Sequence, residues 1–194
     1  MNLRRIIPSL VVGTVLISTA SDVQAQSRRP SGVASLGEMR CQRTQGSGGY
    51  KAINEDIPIG REIFRAIAYI GQRPYFLGTG DYGIWTTEAS EVVCRLAAPN
   101  ETPRFRTLTL AFGFAADSSR RDYIEIDGSV NVLVSIYKDN NFYASQNVSR
   151  GEKIRFPIDI ANTRSLSIEA QCIRPASGSK TCPVLYFFED TLRK

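Results

Sequence analysis

The run Val130–Lys138 (VNVLVSIYK) sets the strictest limit on what this chain can fold into. Val130, Val132, Val134 and Ile136 alternate with Asn131, Leu133, Ser135 and Tyr137. A period of two sends alternate side chains to opposite faces of a strand, so the β-branched set faces a core. The same alternation returns in Ser165–Ile173 (SLSIEAQCI), with Leu166, Ile168, Ala170 and Cys172 on one side and Ser165, Ser167, Glu169 and Gln171 on the other. Short β-branched and aromatic runs bounded by turn residues mark further strands at Ser90–Leu96, Thr107–Phe114, Phe142–Ser145, Lys153–Ile160 and Val184–Phe188. Asp139-Asn140-Asn141 reads as a hairpin-like turn. Pro157 has no N–H to give a ladder, so its strand belongs at a sheet edge. Ile63–Ile70 (IFRAIAYI) is a strand or a short helix, and periodicity does not decide. About eight strands at regular spacing, with few helical segments, predict an all-β chain folded as a single-domain β-sandwich.

The first residues read as a secretory signal. Arg4 and Arg5 precede the apolar run Ile6–Ala20, and Val23-Gln24-Ala25 offers the small residues a signal peptidase reads, so cleavage is expected after Ala25. The apolar run is shorter than the ~20 residues a membrane span needs. No other stretch is long and apolar enough, so no span is expected after cleavage, and the expected location is secreted or periplasmic. Residues 26–46 read as a flexible leader, rich in Ser, Arg, Gly and Pro to about Met39, and 47–194 as the sandwich domain. Cys41, Cys94, Cys172 and Cys182 all follow the cleavage site and suit an oxidising compartment. Cys172 and Cys182 flank a polar, turn-rich loop between apolar runs, where a hairpin would join their sulfurs. The expected disulfides are therefore Cys172–Cys182 and, by elimination, Cys41–Cys94.

The chain has no histidine. That excludes Ser-His-Asp and Cys-His catalysis and imidazole-based zinc sites, and no CxxC spacing offers a thiolate alternative. The net charge of +5 is spread along the chain rather than gathered on one face, so no nucleic-acid partner is expected. Acid pairs are the remaining catalytic material. Asp117 and Asp122 share one predicted loop with Asp127 nearby, but nothing in the sequence sets the ~5–9 Å a glycosidase pair requires, and Asp in loops commonly forms turns. A non-enzyme is expected. Asp117, Ser118 and Asp122 offer oxygen ligands for a structural calcium, without EF-hand spacing; no other cofactor is expected. Tyr75, Phe76, Tyr82 and Trp85 fall in one turn-rich stretch. Such rings stack on the C–H faces of sugars, and a core position is the alternative for Trp85.

From Tyr75 to about Ile173 the chain resembles the NPCBM-type carbohydrate-binding modules, which are related to galactose-binding-like sandwiches. The resemblance lies in order and spacing. A glycine-containing turn (Leu77-Gly78 to Gly83-Ile84) leads to a segment ending in serine (Thr87-Glu88-Ala89-Ser90) and a strand (Glu91 to Leu96). Phe112-Gly113-Phe114-Ala115-Ala116-Asp117 forms the corner, Gly128-Ser129-Val130 to Tyr137 the next strand, and Asp139-Asn140-Asn141 with Phe142 to Ser145 the return. Leu166-Ser167-Ile168 supplies the final strand pattern. Thr87 stands where the family often has histidine. The resemblance implies a jelly-roll-like, galactose-binding-domain-like sandwich of eight or nine strands, binding a glycan or polysaccharide without catalysis through loops at one end. The loop residues that would stack on or orient a ligand are Tyr82, Trp85, Asp117, Arg120 and Arg121. The arginines offer bidentate forks to acidic glycans. The alternative is an envelope structural or protein-interaction domain using the same fold without sugar; a small hydrolase built on the carboxylates is the third reading.

Overall fold

The structure, a computed structural model, describes residues 30–46, 48–71, 89–114, 130–173 and 183–194. These form strands β1 (Val33–Ser35), β2 (Arg40–Gln45), β3 (Lys51–Ile59), β4 (Glu62–Ile70), β5 (Ser90–Arg95), β6 (Thr107–Gly113), β7 (Asn131–Lys138), β8 (Asn141–Ser149), β9 (Lys153–Asp159), β10 (Ser165–Ile173) and β11 (Leu185–Arg193). A single 3-10 turn, Leu36–Glu38, joins β1 to β2. One sheet has the order β3-β4-β11-β6-β9, with β1 also pairing β11; the other has the order β2-β5-β10-β7-β8. Every ladder is antiparallel. The fold is an all-β sandwich of two antiparallel sheets in one domain.

The alternation that predicts β7 and β10 is the alternation that fills the interior. Val132, Val134 and Ile136 join Leu166 and Ile168 in one core with Leu108, Leu110 and Phe112 of β6, Phe156 and Ile158 of β9, and Phe187 of β11. Fully burying one such side chain stabilises the fold by about 1.5–3 kcal/mol. Asp139 and Asn140 both take positive φ, the geometry a two-residue hairpin turn demands. Ile63–Ile70 resolves as strand, paired on both sides. Pro157 lies in β9, at the sheet edge as expected: among the described residues no further strand needs its missing N–H.

Two expectations change. Residues 30–46 are not a leader over their described length: β1 pairs β11, β2 pairs β5, and Leu36 is fully buried. Among the described residues the strand count rises to eleven, because β1, β2 and β3 carry little apolar alternation; β8 and β11 are longer than the runs read from sequence. What holds the N-terminal segment is chemistry rather than pattern. Cys41 and Cys94 face each other in the β2–β5 ladder and form a disulfide, the pairing reached by elimination. A register shift between Phe187 and Glu189 then places Asp190 opposite Leu110, and Asp190 is buried. Its carboxylate accepts from Ser35 Oγ at 2.6 Å, Gly37 N at 3.0 Å and Tyr50 Oη at 2.8 Å. Burial, then the charge of Asp190, push the Tyr50 hydroxyl far above the ordinary tyrosine range. Cys172 is also disulfide-bonded; Cys182, its expected partner, lies outside the described residues.

The β3–β4 hairpin adds a second small core. Ile57, Ile59, Ala66, Tyr69 and Tyr186 cluster apart from the main interior, with Phe64 and Phe188 packed beside them. Phe188 is the residue displaced by the β11 register shift, and its ring lies 5.5 Å from that of Phe64. Lys153 Nζ stands 3.5 Å from the centre of the Phe64 ring, which ties the hairpin to β9.

Candidate functional site

The strand registers decide which connections share an end of the sandwich. In the first sheet Ile70 pairs Leu185, while Gly113 pairs both Tyr186 and Lys153. The end of β4, the start of β11, the end of β6 and the start of β9 are therefore level. In the second sheet Ile173 pairs Asn131, Asn131 pairs Ser149, and Ala170 pairs Ser90. The end of β10, the starts of β7 and β5, and the end of β8 are likewise level. At these level ends the chain crosses between the sheets from β4 to β5, β6 to β7, β8 to β9 and β10 to β11. All these crossings leave from one end, and the first two begin at Gly71 and Phe114.

That end is built by close backbone contact. Gly48 takes a φ of 89°, and a Cβ there would lie 2.0 Å from the carbonyl oxygen of Gly71. A Cβ on Gly46, at φ 71°, would lie 2.4 Å from the carbonyl oxygen of Ala89. Only glycine lets the β2–β3 connection lie against both flanks of segment 72–88. Gly46 and Gly48 are thus a packing requirement.

The opposite end is braced by side chains. Asp139 Oδ1 accepts from Arg164 N at 3.0 Å and Ser165 N at 2.8 Å. Arg164 Nη1 donates to the carbonyls of Ala98, Pro99 and Glu101 at 2.7–3.0 Å. These bonds knit the β7–β8 turn, the β5–β6 connection and the β9–β10 connection together. The fold is thus a scaffold fixed at one end, with its longest crossings leaving from the other, an arrangement that suits loops positioned for binding.

Every residue expected from sequence to contact a ligand belongs to those crossings. Tyr82 and Trp85 fall in 72–88, and Asp117, Arg120 and Arg121 in 115–129; all five lie outside the described residues, as do Ser118 and Asp122 of the calcium candidate. Among the described residues, no group of three or more His, Cys, Asp or Glu side chains is placed to hold a metal ion.

A polar feature that sequence reasoning missed lies across the second sheet. Glu91 and Glu169 are direct cross-strand neighbours. Like charges so placed oppose each other. Each carboxylate is held by its own donors: Glu91 by Thr44 Oγ1 at 2.6 Å and by Ser167 Oγ, Glu169 by Tyr137 Oη at 2.8 Å. The bond to Glu169 is the main cause that raises the Tyr137 pKa, followed by desolvation and the charges of both glutamates. The signal was present in the polar half of the Ser165–Ile173 alternation, but only the sheet order brings Glu91 beside it.

No family model matches the chain, and no curated protein matches its sequence. Solved structures share its fold. One is the M60 catalytic domain with the CBM51-1 and CBM51-2 domains from Clostridium perfringens ZmpB: 15% identity, TM-score 0.53, covering 84% of this chain and 15% of that one. A second is CBM51 from C. perfringens GH95 in complex with methyl-galactose: 13% identity, TM-score 0.52, covering 82% of this chain and 99% of that one. A third is CBM51-2 in complex with GlcNAc and INT domains from C. perfringens ZmpB: 14% identity, TM-score 0.53, covering 84% of this chain and 31% of that one. The chain thus spans a small part of the ZmpB structures and nearly all of the isolated GH95 module. At these identities the likeness is one of fold.

Proposed function

We propose that this protein is an exported, non-catalytic carbohydrate-binding module of NPCBM type, working outside the cell or in the periplasm. The observation that carries the proposal is the level register of the strand ends flanking 72–88 and 115–129. The segments expected to hold Tyr82, Trp85, Asp117, Arg120 and Arg121 lie between those ends, which supports one shared site. Aromatic faces for sugar C–H surfaces, with carboxylate and guanidinium groups for hydroxyls, form the donor set a glycan site requires. The fold likeness to modules solved with methyl-galactose and GlcNAc supports the same reading. The Cys41–Cys94 disulfide supports an oxidising compartment. The missing histidine removes the commonest general base.

The test is a glycan array probed with the oxidised protein, in calcium and in EDTA. One sugar class should bind, with loss of signal in Trp85→Ala and weakening in Arg120→Ala. Preferential retention of acidic glycans that fades with salt would assign the arginines. A loss confined to EDTA would assign a calcium at Asp117 and Asp122. A blank array in both buffers would overturn the proposal in favour of the protein-interaction reading.

A further inference from the structure

Among the described residues the two sheets end in four terminal strands besides the three-residue β1, and three of the four carry features that discourage a further strand from pairing. β3 has Lys51, Glu55, Asp56 and Pro58, with a register shift between Ala52 and Glu55. β9 has Lys153, Arg155, Pro157 and Asp159. β2 has Arg40 and Arg43, with a shift between Arg43 and Gln45. Charge, proline and bulges are the usual protections of an exposed edge. β8 differs. Asn141–Ser149 (NFYASQNVS) has nine residues without Asp, Glu, Lys, Arg or Pro. Its register shift lies near the turn, leaving the ladder regular from Ala144 to Ser149. Among the described residues its outer side meets no strand. Phe142 and Tyr143 of this strand are exposed.

The open backbone groups can be assigned. Ser149 N donates to Glu152 Oε2 at 3.0 Å, and Ser149 O accepts from Glu152 N at 3.1 Å. Both polar groups of Ser149 therefore point away from β7. Backbone polarity alternates along a strand, so Asn147 and Ser145 turn their N–H and C=O groups outward as well.

We propose that β8 is a self-pairing edge, on which a second copy of this chain adds its own β8 antiparallel about a two-fold axis at Ser145. The central pair is Ser145 with Ser145 of the second copy, exchanging two hydrogen bonds through the outward groups. Such an interface is isologous, so a neutral strand meets its own sequence without repulsion. The flanks favour the same occupant. Antiparallel pairing at Ser145 brings Asp139, beyond one end of β8, near Arg150 of the second copy, beyond the other end, and the same holds in reverse. The two second sheets then run as one continuous sheet. The crossings to β5 and β7 leave from both copies, so any ligand site they carry is presented twice. The interface itself needs no ligand.

Sedimentation velocity on the oxidised protein, over a concentration series to about 100 μM, tests this. A dimer is expected, and a monomer throughout would overturn self-pairing. Ser145→Lys and Ser145→Glu each place like charges directly opposite at the axis, and each should weaken the dimer at least ~30-fold. An equimolar mixture of the two variants should restore it. A dimer unchanged in either variant, or a mixture that stays monomeric, would overturn the register. Hydrogen exchange guards against misfolding: both variants should keep the wild-type protection of the β7–β10 ladder, while the wild-type amide of Ser145 gains protection with concentration. An unprotected Ser145 amide in a wild-type dimer would place the interface elsewhere and overturn the proposal.

Discussion

The β7–β10 ladder and the N-terminal segment 33–45 belong to the same sandwich but are held by different means. The ladder contributes Val132, Val134, Ile136, Leu166 and Ile168 to the interior, each nearly or fully buried. Its stability is spread over many small dispersion and burial contributions. The N-terminal segment contributes one fully buried side chain, Leu36; besides its β1–β11 and β2–β5 ladders it is fixed by two long-range anchors, the Cys41–Cys94 disulfide and the Asp190 carboxylate. A distributed core degrades gradually with substitution. A segment that leans on two anchors is expected to loosen when either is removed, before the core does.

The largest expected effect falls on the shared core. Phe112 is fully buried, 6.0 Å from the Phe187 ring. Phe112→Ala should cost about 3–5 kcal/mol. Chemical denaturation should report it as a lower midpoint for the whole chain in one transition. If the N-terminal segment instead melts separately in this variant, the segment is less tightly coupled to the core than the β1–β11 ladder implies.

Next in size is the disulfide. Cys41 and Cys94 are 53 residues apart in sequence. Replacing both with alanine should cost about 2–4 kcal/mol by releasing the loop they close. The comparison sharpens if the loss is local. Hydrogen exchange should rise first in β2, which has no outer strand among the described residues, while β7 and β10 keep their protection. Equal loss of protection across both sheets would show that the anchor stabilises the sandwich as a unit.

These two kinds of attachment also explain what the sequence made legible. β7 and β10 could be read because every second residue is apolar, and the edge position of β9 because Pro157 forbids a further ladder. β2 could not: five of its six residues are exposed, so no alternation marks it. The strand reading of β11 stops at Phe188 because Glu189 and Asp190 break the apolar run. In the fold the register shift at Phe188 restores the phase, so Asp190 and Leu192 point inward. A buried carboxylate with three donors drawn from residues 35–50 is a tertiary fact with no local trace. The candidate loops lie between readable strands, so their existence was legible. Their departure from a common end follows from strand order, which alternation does not encode.

The smallest effect tests the second anchor by pH. Tyr50 stays protonated in the fold, because burial and the Asp190 charge oppose its ionisation. In the unfolded chain it ionises near pH 10. Below pH ~10 both states hold the proton and its contribution is complete. Above that value the unfolded state releases the proton first, so the contribution falls as pH rises. Tyr50→Phe removes the bond to Asp190 and should cost about 1–2 kcal/mol at pH 7. The gap in melting temperature between wild type and variant should then narrow from pH ~9 to ~11. Parallel melting curves across that range would mean that Tyr50 is not held against Asp190 in solution, leaving Ser35 and Gly37 as that anchor's remaining donors.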